Sequence, residues 1–484
     1  MADERTMTEK AGVPRRGFFA GALACVAALP QMGAAAEKGA PAPGRFPEPP
    51  RDLPMAEDCD LIVAGGGPAG IAAAVTAARA GKRMRLFEAH GALGGVWTSG
   101  LLSCILDFGR AGIARELIAR LDARGARHPR LARMLDSTFI YDPESMKLVL
   151  EEMVSEAGVR FTYHSPVVAA YRDASGRCID VVVTESKSGR RAWRAPLFID
   201  CTGDGDLAAL AGCGFDVGDG QGGADQPASL IALVTADDDA ALGRFAVNDP
   251  SAFGADGASA ANRKKALYDE LVRLGHEPSY AAPTLFRIRP GLFALMANHE
   301  YGVRVDDAEG ITAATVRARR EVAAMVDALA RKGGAAWRGL RIVVTAEQLG
   351  HRGARRIHGR YTLTSADLAA GRQFPDAVAD CAFCIDVHGT SLAHNRTQPN
   401  GFQGSLVAQP YQIPLRACRA KDVDNLYMAG RCISGDFLAQ ASYRVTGPAV
   451  AMGEGVARAI LHRPALLPVF VAAPSDAKPR PLSE

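Results

Sequence analysis

The sequence lacks an excess of charge of either sign. Its 484 residues hold 56 Lys and Arg against 53 Asp and Glu, which gives a formal net charge of +3. Proteins that bind nucleic acid usually carry a strong basic excess, so this balance argues against a nucleic-acid partner. Disorder and collagen are also excluded, because 48% of the residues are hydrophobic and 23% are charged, as in soluble globular proteins of roughly two or three domain-sized units.

Cysteine forms no diagnostic metal or disulfide pattern. One of the ten cysteines, Cys25, lies near the N-terminus, and most of the remaining nine lie in apolar runs. Cys381 and Cys384 are spaced like a metal or redox pair and His388 follows them, but three ligands do not complete a tetrahedral zinc site. We therefore predict no metal centre, and the sequence shows no disulfide framework. A nucleophile elbow and an acid pair of diagnostic spacing are missing as well.

The N-terminal segment has no hydrophobic run typical of a membrane span. Residues 17–36 carry no charge and follow a twin arginine, Arg15 and Arg16. Pro30 and many Ala and Gly residues leave this stretch short and weakly apolar for a span of about 20 residues. The basic start, the apolar centre and an Ala-x-Ala end resemble a twin-arginine signal peptide.

That resemblance implies a signal peptide at residues 1–36, with cleavage near Ala36. It also implies the twin-arginine translocase as a partner and a periplasmic or otherwise exported location. Such signals are typical of bacterial proteins that are exported already folded, often with a cofactor inserted. A membrane anchor and a lipoprotein acceptor at Cys25 are the alternatives.

A glycine-rich turn connects the first predicted strand and helix. Residues 59–64 read as a short buried parallel strand, the sequence GGGPAG follows at residues 65–70, and residues 71–80 are Ala-rich and helical. A second strand at residues 84–87 ends in Glu88. This is G-x-G-x-x-G in its full strand, helix and strand context, which predicts dinucleotide binding.

Each part of this motif has a physical role. Gly65 permits the sharp turn, Gly67 lets the backbone approach a pyrophosphate, and Gly70 lets the helix pack close to the strand. The free N–H groups at the start of the helix attract phosphate. Glu88 is placed to accept hydrogen bonds from both hydroxyls of an adenosine ribose.

A second match to the same pattern occurs at residues 218–223. No buried strand leads directly into it, and Pro227 interrupts the residues on its C-terminal side, so we interpret it as a loop. No second nucleotide-binding fold is visible, and a dedicated NAD(P)H site is therefore not expected.

The residues after Glu88 favour FAD over NAD. A glycine pair, Gly94 and Gly95, follows six residues past the acid, and Thr98 comes next. This resembles the second fingerprint of FAD oxidoreductases, in which the chain passes under the pyrophosphate and ribityl. The glycines would allow close backbone approach, and we expect Thr98 to bond a flavin oxygen. Domains that bind only NAD lack such a pair.

Two later segments agree with this assignment. Residues 197–206 form a predicted strand that ends in a turn at Thr202, Gly203 and Asp204, as at the strand that returns to FAD in proteins with two dinucleotide folds. Near the C-terminus a further strand ends at Gly430.

The sequence resembles the FAD-dependent oxidoreductase family. The likeness is carried by Gly-Gly-x-x-Thr-x-Gly-Leu at residues 94–101, Arg-Arg-Ile-x-Gly-x-Tyr-x-Leu at 355–363, Ile-Asp-x-His at 385–388 and Ala-Gly-Arg-Cys-Ile-Ser at 429–434. Matching stretches run from about residue 60 to about residue 460. The resemblance implies an α/β fold, with a Rossmann-like FAD-binding domain of the glutathione-reductase type and an inserted α+β substrate domain.

FAD is the cofactor that these motifs imply. The residues predicted to bind it are Gly65, Gly67, Pro68, Ala69, Gly70, Glu88, Gly94, Gly95, Thr98, Val168, Thr202, Gly203, Asp204, Gly430 and Gly447.

The same resemblance and the composition predict the domain layout. The segments are a signal peptide (1–36), a Pro-rich linker (37–57), the first part of the FAD-binding domain (58–214), a substrate domain (215–404), the C-terminal part of the FAD-binding domain (405–465) and a tail (466–484). The clearest helices of the middle region are predicted at residues 261–274 and 315–330. No internal repeat is present.

Three residues are candidates for chemistry at the substrate. Residues 356–364 alternate polar and apolar side chains, which predicts a strand with one cationic face. That face is either solvated or a wall over the substrate or the FAD phosphates, with Arg356 in it. His388, in the Ile-Asp-x-His segment, is a candidate proton donor or acceptor or a substrate ligand, with a structural histidine as the alternative.

The third candidate, Arg444, precedes a predicted helix that runs to about residue 460. Pro448 suits its first turn, with Thr446 or Gly447 as the cap. In the resembled fold the N-terminus of this helix points at the N1–C2=O edge of the flavin, where its dipole favours reduction. An arginine there can hold an anionic or carbonyl oxygen of a substrate, and a surface ion pair is the alternative.

The function predicted from these patterns is that of an exported FAD-dependent oxidoreductase. It would transfer a hydride between a small organic substrate and N5 of the flavin, and exchange electrons with an unidentified donor or acceptor. One alternative is an FAD enzyme without net redox change, such as an isomerase or a lyase. The other is a flavoprotein electron carrier.

Overall fold

The computed structural model describes residues 46, 48–56, 59–129, 137–220, 225–248, 260–397 and 406–462. The predicted signal peptide, most of the Pro-rich linker and the tail lie outside the described residues. The chain divides into two units, Met1–Asp52 and Leu53–Glu484, and nearly everything described belongs to the second. The domain boundaries predicted inside that unit stay predictions.

Nineteen short strands are present in the described segments. The strands are β1 (Leu61–Ala64), β2 (Met84–Phe87), β3 (Cys104–Ile105), β4 (Arg127–Pro129), β5 (Phe139–Tyr141), β6 (Arg160–Thr162), β7 (Val167–Arg172), β8 (Ile179–Ser186), β9 (Gly189–Arg194), β10 (Phe198–Asp200), β11 (Phe215–Asp216), β12 (Ala232–Thr235), β13 (Thr284–Arg289), β14 (Leu292–Met296), β15 (Arg341–Thr345), β16 (Arg356–Ile357), β17 (Ala377–Cys381), β18 (Tyr411–Pro414) and β19 (Leu426–Met428).

The α-helices range from one turn to seven turns. They are α1 (Pro68–Arg79), α2 (Ile113–Ala123), α3 (Pro143–Glu156), α4 (Asp206–Leu210), α5 (Asp239–Leu242), α6 (Ala260–Arg273), α7 (Ala308–Lys332), α8 (Ser365–Ala369), α9 (Leu392–Thr397), α10 (Phe437–Tyr443) and α11 (Thr446–His462). A short 3₁₀ helix spans Gly95–Trp97.

A parallel five-stranded sheet organises the nucleotide-binding part, in the order β19-β10-β1-β2-β6. Its register pairs Val63 with Leu86 on one side and with Ile199 on the other, and Ile199 with Tyr427. All four residues are inaccessible to solvent, which explains why these strands read as continuous apolar runs. The mixed α/β class, the strands and the first helix that the sequence predicts here are confirmed.

Two helices of distant sequence pack closely beside this sheet. A Cβ atom at Gly453 in α11 would lie 2.0 Å from the carbonyl oxygen of Ala69 in α1, so only glycine permits this approach. The contact brings the start of α11 next to the glycine turn that precedes α1. The C-terminal segment therefore completes the same site that the N-terminal motif begins.

The middle region forms a second layer around an antiparallel sheet, in the order β13-β14-β12-β15. Helices α6 and α7 supply core residues such as Leu267 and Met325, which cluster with Phe293 and Trp337. The helices predicted at residues 261–274 and 315–330 correspond to α6 and to the central part of α7.

The strand predicted over residues 356–364 is wrong for most of its length, because only β16 forms there. The backbone N–H groups that follow bond to different segments: His358 to Gly214, Arg360 to Arg419 and Leu363 to Ser434. No single neighbouring strand runs beside the segment, so no ladder forms. The alternation records only the burial of Ile357 and Leu363 in the core.

The C-terminal helix begins slightly earlier than its proline suggests. The amide of Ala449 donates to the carbonyl of Val445, which makes Val445 the residue before the helix, whereas Thr446 or Gly447 was the predicted cap. No helix in the described segments has the length and apolar character needed to cross a membrane.

Candidate active site

The glycines of the turn before α1 are required for two different reasons: close packing within the protein and space for a bound molecule. A Cβ atom at Gly65, whose φ is +96°, would lie 2.4 Å from the Cys201 carbonyl oxygen, and one at Gly70 would lie 1.9 Å from the Gly65 carbonyl oxygen. The protein's own packing therefore demands glycine at both positions. At Gly67, with φ −71°, a Cβ atom would meet nothing within 4 Å. A partner outside the chain explains this third glycine.

An elongated cavity of about 210 Å³ opens in front of the turn. Of the predicted cofactor residues, those that line it are Gly65, Gly67, Pro68, Ala69, Glu88, Gly95, Thr202, Gly203, Asp204 and Gly430. Gly70, Gly94, Thr98, Val168 and Gly447 are not in its wall. The empty space beside Gly67 and the backbone N–H groups at the start of α1 fit a dinucleotide, because such groups at a helix N-terminus bind phosphate.

Glu88 closes one end of the cavity and is itself fixed. Its Oε2 accepts from the amide of Gly66 at 2.6 Å, and its Oε1 accepts from the amide of His90 at 2.8 Å. The carboxylate is 5% exposed and lies at the carboxyl end of β2. Each oxygen keeps a further lone pair, so the predicted contact with ribose hydroxyls is compatible with this geometry.

The glycine pair after Glu88 forms a tight bend, and its two members do not both contact the cavity. Gly94 and Gly95 have φ of +107° and +52°, and only Gly95 reaches the cavity. The predicted bond from Thr98 to a flavin oxygen is corrected, since its hydroxyl donates to the Leu93 carbonyl at 2.5 Å and the residue is 1% exposed. Thr98 holds the bend.

Two more assignments shift for reasons of packing. Val167, one residue before the predicted Val168, lines the cavity, because successive strand residues point to opposite faces. A Cβ atom at Gly447 would lie 1.9 Å from the Asp107 carbonyl oxygen, so this glycine serves close packing. Its neighbour Thr446 lines the cavity instead, at the start of α11, where the helix dipole is positive.

A second cavity, of about 170 Å³, adjoins the first. The two share six lining residues: Val96, Gly350, His351, Arg431, Arg444 and Thr446. The second cavity additionally contains Asp386 and His388 together with apolar side chains. Two of the three predicted catalytic residues, Arg444 and His388, are thus brought to one place.

Arg444 and His388 are coupled through Asp386. Nη2 of Arg444 donates to the Asp386 carbonyl oxygen at 2.7 Å and to its Oδ2 at 3.0 Å, while Nε2 of His388 lies 3.4 Å from the same Oδ2. Burial raises the pKa of the Asp386 carboxyl, but the hydrogen bond with His388 and the charge of Arg444 outweigh it and hold the pKa well below its usual range.

The His388 ring is neutral around pH 7. Burial, and then the charge of Arg352, lower its pKa to about 4. Because an ionised Asp386 can only accept, the hydrogen of the neutral ring belongs on Nε2 and the lone pair on Nδ1. Nδ1 is buried and has no hydrogen-bond partner among the described residues. Because a buried acceptor without a partner is costly, Nδ1 is the candidate atom of His388 for accepting a substrate proton.

Aromatic side chains behind His388 fix its position. The rings of Tyr280 and His299 stack with their centres 4.0 Å apart, and the His299 ring lies edge-on to His388 at 5.1 Å. Burial keeps the pKa of His299 well below its usual value, so it also stays neutral. No local pattern marks these two residues, since they occur more than 80 positions before His388 and in segments without a motif.

Arg356, the third predicted catalytic residue, is not at either cavity. Its guanidinium is buried and donates to the carbonyl oxygens of Gly435 at 3.1 Å and Gly218 at 2.8 Å. It ties the loop after β11 to the segment before α10. The prediction that it faces substrate fails because the strand on which it depended does not form.

The cysteine pair that resembles a redox motif is divided between environments. Cys381 is buried in β17, with its sulfur 4.0 Å from the Ser442 hydroxyl, whereas Cys384 is exposed. All nine cysteines of the described segments are free thiols. Among those same residues, no group of three His, Cys, Asp or Glu side chains is arranged to hold a metal ion.

The geometry agrees with the result of comparison with known proteins. The model of the family described as FAD dependent oxidoreductase matches residues 60–463, and the chain belongs to that family. The protein is therefore an FAD-dependent oxidoreductase, and its cofactor is FAD. No curated protein matches the sequence.

Several solved structures are similar in parts of their fold. The p-nitrophenol 4-monooxygenase of Pseudomonas putida DLL-E4 is 15% identical, with 63% of this chain and 70% of that chain covered and a TM-score of 0.39. The geranylgeranyl bacteriochlorophyll reductase-like protein of Thermoplasma acidophilum is 12% identical over 83% and 77%, at 0.41. The anhydrotetracycline hydroxylase of Streptomyces rimosus is 14% identical at 0.38, and the match spans about half of it, 54%, against 63% of this chain.

Proposed function

We propose that this protein is an exported enzyme that transfers a hydride between a small organic substrate and N5 of its FAD. The observation that carries the proposal is the second cavity, which shares a wall with the cofactor cavity and contains a polar triad, Arg444, Asp386 and His388. A pure electron carrier needs no second cavity beside its cofactor, so this cavity favours an enzyme with a substrate of its own.

The fold that we propose is the glutathione-reductase type of FAD domain with an inserted substrate domain. Two features support it: the antiparallel sheet β7-β8-β9 lies between β6 and β10 of the parallel sheet in sequence, and the sheet of β12 to β15 has a hydrophobic cluster of its own. The chain returns to the parallel sheet only at β19.

The division of labour in the proposed reaction follows from the two cavities. FAD, when bound along the glycine turn, supplies hydride acceptance or donation. Arg444 lies in the wall common to both cavities and is placed to orient a substrate oxygen with its guanidinium. His388 presents the Nδ1 lone pair to take a proton from a substrate hydroxyl or amine as the hydride leaves, or returns it in the reverse direction.

The ionised Asp386 supports both of these residues. It forms an ion pair with Arg444 and accepts a hydrogen bond from the His388 ring. Its negative charge would therefore stabilise His388 more strongly once the ring has gained a proton. A substrate that covers the apolar side chains of the second cavity would displace water from this region, which would strengthen each polar contact within it.

Anaerobic screening with small organic metabolites tests the proposal. A true substrate is expected to bleach the oxidised-flavin absorbance of the purified protein without oxygen. Turnover with no bleaching would favour an isomerase or lyase, and would contradict hydride transfer. Once a substrate that bleaches the flavin is found, the electron donor or acceptor can be sought among compounds that reoxidise or reduce the substrate-treated protein.

The rate of flavin reduction gives a specific pH prediction for His388. Because burial holds its pKa near 4, the ring stays a neutral proton acceptor through the neutral range. The rate that depends on His388 should therefore fall only as the pH drops towards about 4, and not around the ordinary histidine value of about 6.5. The measurement is rapid-mixing absorbance from pH 8 downwards, with His388→Gln as the comparison. An acidic limb near 6.5 that vanishes in His388→Gln would contradict this assignment.

Export is the part of the proposal that rests on residues 1–36, outside the described segments. We expect Arg15→Lys with Arg16→Lys to leave the protein in the cytoplasm, because twin-arginine signals are read through that pair. Cell fractionation and immunoblotting measure the location, and Arg5→Lys is the matched control, expected to be exported normally. Undiminished export of the double variant would show that the segment works by another route or is an anchor.

A further inference from the structure

Arg352 is a buried cation that has no hydrogen-bonded or ion-paired carboxylate among the described residues, although the charge of Asp386 acts on it from a greater distance. It is 9% exposed and lines the second cavity. Its Nη1 donates to the Pro227 carbonyl at 2.7 Å and to the Ser229 hydroxyl at 2.9 Å, and both acceptors are neutral. Burial lowers its pKa to about 10, which still leaves it charged at neutral pH. An unpaired buried charge is costly, so such a group is ordinarily paired.

The other cations of the cavity wall are already neutralised. Arg444 pairs with Asp386 at 3.0 Å, and Arg431 pairs with Asp204 at 2.5 Å. Of the three guanidiniums in the wall, Arg352 is the one that has no ion-paired carboxylate among the described residues. The neighbouring histidines add no positive charge, because burial lowers the pKa of both His351 and His388.

One more carboxyl group lies nearby, but it does not serve Arg352. Asp225 is not in the wall of the cavity, and burial raises its pKa. The cations that favour its charged form are Arg356 and Arg431, and it also acts on Arg444. Arg352 is not among the cations that it favours, so Arg352 keeps no carboxylate partner of its own in the wall.

The remainder of the cavity is apolar. Its hydrocarbon wall comprises Val96, Leu102, Leu106, Ile231, Met296 and Val445. A ligand that satisfies this surface needs an apolar body, and one that satisfies Arg352 needs a single negative charge. A doubly charged phosphate ester would exceed the available positive charge, whereas a carboxylate matches it and suits the planar fork of a guanidinium.

We infer that the substrate is an apolar organic acid whose single carboxylate binds Arg352 in the second cavity. This rests on the proposed function, since it names the class of molecule that undergoes the redox reaction there. Arg352 acts as the specificity-determining residue, and Arg444 and His388 are left to the reacting end of the same molecule. The part of the substrate that reacts lies nearer the wall shared by the two cavities.

Binding of simple acids to the FAD-loaded protein tests the inference without any turnover. The probes are hexanoate and octanoate, each compared with its amide, which keeps the shape and removes the charge. Calorimetric titration and the change in flavin absorbance report binding. The acids are expected to bind at least about tenfold more tightly than the amides, because a charge-assisted pair replaces a neutral contact. Equal affinity for acid and amide, or no binding of either acid, overturns the inference.

Variants of one residue assign the contact. Arg352→Met keeps much of the side-chain volume and should lose at least about tenfold in affinity for the acids but not for the amides, whereas Arg352→Lys should retain part of the preference. Arg341→Met, at an exposed position of β15, is the matched control and should bind like the native protein. An unaltered preference for acids in folded Arg352→Met overturns the assignment. Should that variant not fold, the acid and amide comparison in the native protein decides.

The result separates this inference from the proposed function. Binding of the acids through Arg352 combined with a flavin that no acid bleaches would retain the carboxylate site and refute hydride transfer. Bleaching of the flavin by uncharged substrates, together with no preference for carboxylates in binding, would support hydride transfer and refute the carboxylate site.

Discussion

The Gly67→Glu protein is expected to purify folded and colourless, without FAD. Native protein should be yellow and carry roughly one FAD per chain. A carboxylate at position 67 would project from the start of α1 into the cofactor cavity and repel the pyrophosphate. Placing an unpaired charge against another of the same sign in such a site weakens binding by about a hundredfold or more. FAD content is measured by absorbance after denaturation.

The structure supplies sharp controls for this substitution. A Cβ atom at Gly67 meets nothing within 4 Å and its φ is negative, so Gly67→Ala should fold as well as the native chain. Gly67→Gln has the bulk of glutamate without its charge and should retain more FAD than Gly67→Glu. Thermal unfolding should be compared with native protein stripped of FAD, since a bound cofactor stabilises by mass action alone. Full FAD occupancy in Gly67→Glu would refute the assignment of this cavity.

The Arg444→Ala protein is expected to keep FAD but to lose at least about tenfold in the rate of flavin reduction, or about 1.4 kcal/mol of transition-state stabilisation. Arg444 lies in the wall shared by the two cavities, where it is placed to hold a substrate oxygen. Rapid-mixing absorbance measures the step. Arg458→Ala, a largely exposed arginine of α11 that pairs with Glu454, is the matched control and should reduce at the native rate.

Loss of Arg444 also leaves the partly exposed Asp386 without its cation, so stability must be separated from chemistry. Breaking a fully buried pair by removing one partner costs about 3–5 kcal/mol, and the exposure of Asp386 should make the loss smaller here. The double variant Arg444→Met with Asp386→Asn removes both charges and should recover much of that loss while remaining slow in flavin reduction. A native reduction rate in either folded variant would remove Arg444 from the reaction and leave His388 as the remaining candidate of the three.

Local patterns predicted the elements around the first cavity well, because they follow one another in sequence. The strand, the glycine turn, α1 and β2 lie within 27 residues, from Leu61 to Phe87, and the backbone packing requires the glycines at positions 65 and 70. Two assignments were wrong: the Thr98 hydroxyl bonds to the Leu93 carbonyl and not towards the cavity, and Val167 lines the cavity in place of Val168. These errors arise because the bend at Gly94 and the strand face at Val167 depend on packing that no local pattern shows.

The substrate half was less predictable because it is assembled from distant segments. Asp386 and His388 come from the loop after β17, Arg352 from the loop after β15, and the supporting ring of His299 from the residues after β14. Arg352 has no distinguishing sequence context, and its importance appears only when the cavity wall and its charges are known. For Arg356 the local pattern was misleading. The alternation of polar and apolar residues around it predicted a cationic strand face, but the side chain is buried and bonds to two backbone carbonyl oxygens.

Anaerobic titration of the protein with an identified substrate tests the central claim most directly. The absorbance of the oxidised flavin should fall in proportion to added substrate and be lost at about one equivalent, with a product more oxidised by one hydride and one proton. Conversion of the substrate to an isomer or a cleavage product while the flavin stays oxidised would contradict the account.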